Sequence, residues 1–207
     1  MTGQAAGGIR LRRPAEADHA ALVSQIDEWW GGRKLHWYLP RLWFQHFTGT
    51  SWVAEDESGR PVGFLVGFVS PDQPGVGYIH MAGTDPNVRR TGLGRRLYER
   101  FFDDMRERGI RRVTAVTWPG NRTSVAFHRA MGFEPADGAG TQNLYGTPAY
   151  PDYDAEGDDR VPIAHSRGLH AAALGSRLIA VPGGDHHCAQ HDPRLQAQAI
   201  EFIRASR

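Results

Sequence analysis

Residues 87–97 read NVRRTGLGRRL, with Arg89, Arg90, Arg95 and Arg96 crowded around Gly92 and Gly94. An extended apolar stretch precedes them and a four-residue apolar repeat follows, so the loop falls where a strand hands over to a helix. Backbone N–H groups at such a junction lack partners, and the helix macrodipole adds partial positive charge. A phosphate suits that place. Gly92 and Gly94 let the backbone approach it closely, and the arginines supply charge, some of them facing solvent. The chemistry indicated is binding of a multiply charged anion. Two better-known phosphate loops are excluded, because no lysine follows as a Walker loop requires and Leu97 stands where a dinucleotide loop needs its third glycine. Taken alone, the loop also fits a simple turn with solubilising arginines.

The elements around this loop follow from periodicity. Residues 9–14 alternate apolar and basic, as a half-buried edge strand does. A helix is expected over 14–30, where Pro14 suits the first turn and Ala21, Leu22, Ile26 and Trp29 share a face. A short second helix is expected at 39–47, a strand–hairpin–strand over 51–70, and another strand over 76–88. Leu93, Leu97, Phe101 and Met105 define a helix over 91–109, widened by Tyr98 and Phe102 and stopped by Gly109. A β-branched strand at 111–118 precedes a helix at 121–132, which Asn121 caps and Gly132 ends. A strand starts at Phe133. Residues 136–159, rich in glycine, proline and acids, read as loop. Beyond them a strand, a helix, a strand and a last helix are expected.

The 207 residues can bury a full core, and the formal charge of +1 gives no global field to recruit nucleic acid or an anionic membrane. An anion site must therefore be local. The single cysteine, Cys188, fits a reducing compartment. The first residues lack the apolar core of a signal peptide, and no apolar run approaches the ~18 residues of a membrane span. The expected location is cytoplasmic.

Two stretches together carry a family resemblance. RRTGLG (89–94) resembles the Arg/Gln-x-x-Gly-x-Gly/Ala coenzyme A loop of the GNAT acyltransferase superfamily. NRTSVAFHRAMGF (121–133) resembles that superfamily's later motif, Asn-x-x-Ala-x-x-hydrophobic-Tyr-x-x-hydrophobic-Gly-Phe. Their separation and the element order from residue 9 to about 135 are similar as well, covering roughly two-thirds of the chain. The resemblance implies an α+β fold: a mixed, mostly antiparallel sheet flanked by helices, with a short α/β extension at the C-terminus. It divides the chain into an acetyltransferase domain at 1–164 and an extension at 165–207. It implies acetyl-CoA as co-substrate, no metal, and transfer to a primary amine of a small molecule or peptide. A homodimer is left open. An acyl-CoA-binding sensor without catalysis is the alternative.

Site roles are implied in the same way. Pantetheine would run along the backbone between His80 and Val88, and the diphosphate would sit on the amides of 90–95. Coenzyme contacts are thus expected from Met81, Ala82, Gly83, Val88, Arg89, Arg90, Thr91, Gly92, Leu93, Gly94, Arg95, Asn121, Ser124 and Phe127. An amide near Met81–Gly83, on a local bulge, would stabilise the oxyanion. His80 is the first choice as base, ahead of Asp85, whose Asp-Pro setting suits a turn. The tyrosine that protonates the leaving thiolate in relatives is replaced by His128, which either keeps that role or is a surface residue; Tyr145 is a weaker stand-in. Trp29, Trp30, Trp37 and Tyr38 would line the acceptor pocket, unless they pack the core. Asp27 and Glu28 either pair with an ammonium or are solvated.

Residues 158–207 resemble the end of an α/β-hydrolase, with Asp158 or Asp159 as the acid and His186 as the histidine. No Gly-x-Ser-x-Gly elbow exists upstream, so this extension is not expected to be an independent enzyme. DHHCAQH (185–191) places its ligands too close together for a standard zinc site.

Overall fold

The computed structural model describes residues 8–136 and 138–165. Strand β1 (Arg10–Arg12) leads to helix α1 (Asp18–Trp29), a 3-10 turn at His36–Tyr38 and helix α2 (Leu42–His46). Then come β2 (Trp52–Glu55), β3 (Pro61–Val69) and β4 (Val76–Thr84), with a 3-10 turn at Pro86–Val88. Helix α3 (Leu93–Glu107), β5 (Arg112–Thr117) and α4 (Arg122–Ala130) follow. The described chain closes with β6 (Glu134–Pro135), β7 (Gln142–Leu144), β8 (Thr147–Ala149) and β9 (Val161–His165).

Seven strands form one sheet in the order β1-β2-β3-β4-β5-β9-β6. Neighbours are antiparallel except β4 and β5, which are parallel and joined by α3. The architecture is α+β, as expected. Each face of the sheet carries its own apolar cluster. On one, Leu97, Phe101 and Met105 of α3 pack with Trp52, Leu65, Ile79 and Val113. On the other, Leu22 and Ile26 of α1 and Phe44 of α2 pack with Val53, Phe64 and Val66. The four-residue repeat of α3 puts Phe101 at 0 % exposure, and burying a side chain of that size stabilises the fold by roughly 1.5–3 kcal/mol.

Two expectations need correction. Helix α1 starts at Asp18, not near Pro14, because the Asp18 carboxylate accepts the Ala15 N–H (2.7 Å) and is gripped by both terminal nitrogens of Arg12 (2.7 Å each). Residues 15–18 are thereby held in a turn. Within the segment read as loop, β7 and β8 form a hairpin, pairing Leu144 with Thr147 across a Tyr145–Gly146 turn. Three-residue strands are too short for period-two alternation to show.

The strand that matters for the site is β4. Val66 pairs with Met81 but Gly67 pairs with Ile79, so His80 is an extra residue, a β-bulge. Pairing with β5 stops at Ile79–Ala115. Beyond that point β4 stays on β3, while β5 keeps its pairing with β9 as far as Thr117–Val161. The two parallel strands therefore part at their C-terminal ends.

Candidate active site

The divergence leaves backbone groups without a ladder partner. The Asp85 N–H donates to the Val62 carbonyl (2.9 Å), and the register continues back through Gly63–Thr84, Phe64–Gly83 and Leu65–Ala82. Amides of an antiparallel pair alternate in direction. Gly83 and Met81 thus face β3, whereas Ala82 and Thr84 face the gap. The amide of Ala82, two residues past the bulge and within the Met81–Gly83 stretch, faces the gap.

A cleft of about 1100 Å³ occupies this gap, large enough for an extended nucleotide ligand. Its β4 wall includes Ala82, Gly83 and Thr84, and its mouth is formed by Val88, Arg89, Arg90, Gly92 and Leu93. Gly94 and Arg95 continue the rim. Helix α3 begins here with no side-chain cap, after Gly92 at φ 87°. That left-handed conformation is what glycine supplies at low cost. Arg96 N–H bonds back to the Gly92 carbonyl (3.0 Å), so Leu93, Gly94 and Arg95 are the first-turn amides left free for an anion. Arg90 also has positive φ, 63°, so backbone direction reverses twice within three residues.

The arginines divide by task. Arg89 donates to the carbonyls of Trp29 and Thr84, bracing α1 against the end of β4. Arg96 donates to the Ile9 carbonyl (3.0 Å). Arg95 reaches Glu99 only loosely, at 3.7 Å. Arg90 is exposed at the mouth of the cleft. Thr91 does not line the cleft; its hydroxyl donates to the Val88 carbonyl (2.8 Å).

Helix α4 supplies the opposite wall through Asn121, Ser124, Phe127 and His128. The Asn121 side chain accepts the Ser124 N–H (3.1 Å), so it caps its helix while facing the cleft. His128 is buried, with 8 % exposure, and is not a surface residue. Its Nδ1 lies 2.8 Å from the Ser124 carbonyl and its Nε2 2.9 Å from the Tyr98 hydroxyl. Burial lowers its pKa from the ordinary histidine value, with the bond to Ser124 partly opposing. Tyr98 was read from the sequence as core, since it widens the α3 stripe, yet it lines the cleft too. Burial pushes its phenol pKa upward.

His80 and Met81 are not among the cleft-lining residues. The His80 ring stacks on Trp43 at 4.5 Å, and its Nε2–H donates to the Tyr38 carbonyl at 2.6 Å. Burial lowers its pKa, which the bond to Tyr38 partly opposes. Asp85 caps the Pro86–Val88 turn through the Asn87 N–H (2.9 Å) and pairs with Arg60 (2.9 Å). Trp29 and Trp30 line the cleft, Trp29 also being buried against Phe64. Trp37 and Tyr38 lie outside it, with Trp37 74 % exposed. Asp27 keeps part of its surface in solvent but is not free: it accepts the N–H groups of Leu35 and His36 and pairs with the His36 ring at 2.6 Å. This fastens the Arg33-bearing loop, and Arg33, which sequence reasoning missed, also lines the cleft.

Tyr145 sits at the hairpin tip, 58 % exposed, its ring 5.8 Å from Trp118 and not on the cleft wall. Asp158 pairs with Arg160 (2.6 Å). His186, the DHHCAQH segment and the rest of the hydrolase-like extension lie outside the described residues. Among the described residues no cluster of three histidine, cysteine or acidic side chains is arranged to hold a metal, and no helix is long and apolar enough to cross a membrane.

Residues 3–133 match the model of the acetyltransferase (GNAT) family. The chain belongs to that family. It is 31% identical over 147 residues to the L-2,4-diaminobutyric acid acetyltransferase of Streptomyces coelicolor, covering 70% of this chain and 85% of that one. With the enzyme of the same name from Nocardia farcinica it shares 29% identity over 58% of this chain, spanning 62% of the relative's length. Among solved structures, the diaminobutyrate acetyltransferase of Paenibacillus lautus, in complex with L-2,4-diaminobutyric acid and coenzyme A, shares the fold. It superposes with a TM-score of 0.58 at 20% identity, over 77% of this chain and 96% of that one.

Proposed function

We propose that the protein is an acetyl-CoA-dependent N-acetyltransferase that transfers an acetyl group to a primary amine of a small molecule or peptide by direct attack on the thioester. One observation carries the reading: the gap between β4 and β5 opens directly onto the uncapped start of α3. The amides of 90–95, with Arg90 and Arg95, hold the diphosphate. Backbone groups of Ala82 and Thr84 hold the pantetheine arm as a missing strand would. The Ala82 N–H stabilises the oxyanion that develops when the amine attacks. Acetyl-CoA supplies the activated acyl group.

Trp29, Trp30 and Arg33, which line the cleft, form the acceptor side, and the His36–Tyr38 segment, pinned by Asp27 and His80, braces it from outside. His80 is absent from the cleft lining and its Nε2–H is engaged by the Tyr38 carbonyl, so we assign it to holding Tyr38. His165 still belongs to β9 of the sheet, and we assign the residues that follow it no enzymatic role of their own.

The names of two relatives make L-2,4-diaminobutyrate the first acceptor to test. Thiol release from acetyl-CoA, measured across a panel of amines that includes it, should depend on the amine. Coenzyme binding with no release on any acceptor would replace this reading with the non-catalytic sensor.

A further inference from the structure

We infer that Tyr98 and His128 together form the proton store of the reaction, taking the proton that the amine gives up and returning it to the sulfur as the thioester breaks. The inference rests on the acetyltransferase reading above.

Hydrogen-bond logic fixes where the protons lie. The Ser124 carbonyl can only accept, so His128 Nδ1, 2.8 Å away, carries the ring proton. In the neutral ring Nε2 then has a lone pair, and the Tyr98 hydroxyl 2.9 Å away is its donor. The Tyr98 oxygen keeps lone pairs of its own, and both residues are among those lining the cleft. The ring partners of His128 are Tyr98, Phe127 and Phe133, and Ser124 lies at 3.2 Å through its hydroxyl. Ser124 Oγ is in turn 2.9 Å from Thr117 Oγ1 of β5. No charged side chain is among the described partners of this ring from α3, α4 or β5.

Neither residue suffices alone. Burial makes a bare Tyr98 phenolate costly, and Nε2 of His128 is covered by the Tyr98 hydroxyl. Acting together they avoid both problems. As the C–N bond forms, the carbonyl π pair moves onto oxygen. The nitrogen's proton passes to Tyr98 Oη while the phenol's own proton passes to His128 Nε2. The resulting imidazolium is held at Nδ1–H by the Ser124 carbonyl. When the carbonyl re-forms, the C–S bond breaks and its electron pair goes to sulfur. Sulfur then takes the Tyr98 proton, and Nε2 returns its proton to Oη. The pair ends as it began, with no co-reactant. Because burial disfavours the imidazolium, the stored proton is readily released.

The test uses full-length protein, acetyl-CoA and the panel amine that the unaltered enzyme turns over fastest. Tyr98→Phe removes one oxygen and should lower kcat by about 100-fold, the usual scale of proton-transfer assistance, with KM for acetyl-CoA changed less than about twofold. In the unaltered enzyme kcat should fall at acid pH, below the ordinary histidine range, as His128 becomes protonated. His128→Gln should abolish that limb. Ring-nitrogen NMR should show proton-bearing Nδ1 in the free protein. An unchanged kcat in folded Tyr98→Phe, or an acid limb that persists in His128→Gln, overturns the proposal while leaving the acetyltransferase reading intact. If the unaltered protein turns over no amine, both fall.

Discussion

Trp30 lies against the backbone of Gly83: a methyl carbon added to that glycine would stand 2.1 Å from Cη2 of the indole and 3.1 Å from Cε1 of Phe64. The bare strand at this point is therefore what allows α1 to close over the open edge of β4. Gly83→Ala must displace the indole or bend the strand. Overpacking of this kind costs about 1–3 kcal/mol, a fall in Tm of very roughly 2–4 °C per kcal/mol for a chain of this size. Calorimetry should also show weaker coenzyme A binding, since Trp30 lines the same cleft. Adding Trp30→Ala should restore part of the lost stability, because the two residues share one contact.

Arg89 and Arg90 are neighbours with separate tasks. Arg90→Glu places a negative charge where the diphosphate is expected and should weaken coenzyme A binding by about tenfold or more at low salt, with the loss shrinking as salt screens it. Arg89→Ala removes the brace between the Trp29 and Thr84 carbonyls. Its main effect should be thermal destabilisation. Titration calorimetry and melting curves of both variants would reveal whether the two effects are exchanged, the result that counts against this division.

The loop and the helix stripes were legible because local chemistry marks them: Gly92 and Gly94 leave the backbone bare at a strand-to-helix junction, and Leu93, Leu97, Phe101 and Met105 mark a face. A bulge was expected near Met81–Gly83, but its place at His80 was not legible, because the extra residue is defined only against Gly67 and Val66 on another strand. Tyr98 escaped for a related reason. Its spacing is that of a core residue, and only packing reveals that its hydroxyl meets His128 across two helices. Asp27 was read as solvated or substrate-facing, since its partners, Leu35 and His36, are held by a reversal through Gly31 and Gly32, at φ 69° and 86°.

The β7–β8 turn carries measurable strain. Tyr145 has φ 54° followed by Gly146 at 82°, the pattern of a two-residue turn that favours Asn-Gly. A bulky aromatic is an outlier there. Tyr145→Asn should therefore raise stability by about 0.5–1 kcal/mol, seen as a higher Tm. An unchanged or lower Tm would mean that the ring's packing beside Trp118 outweighs the backbone cost.

Three histidines, two buried and one half-buried, tie stability to pH. His80 is held neutral mainly by burial, against the opposing bond to Tyr38, so its native pKa lies below the unfolded value of about 6.5. His128 and His165 are shifted the same way by burial. Between the native and unfolded values the unfolded chain binds more protons, so stability rises with pH through that window and is fully present above the unfolded value. It declines as pH drops from near 7 toward the depressed native values. Asp18, Glu55 and Asp85, whose pKa values are lowered in the fold, act in a separate window, below the ordinary carboxylate value near 4. Urea midpoints taken between pH 7 and 5 should therefore fall steadily. His80→Gln keeps a donor for the Tyr38 carbonyl but cannot titrate, so its midpoints should fall less steeply. Equal slopes for the two proteins would show that His80 is as free to accept a proton in the folded chain as in the unfolded one, and that the link between Tyr38 and the bulge does not hold it neutral.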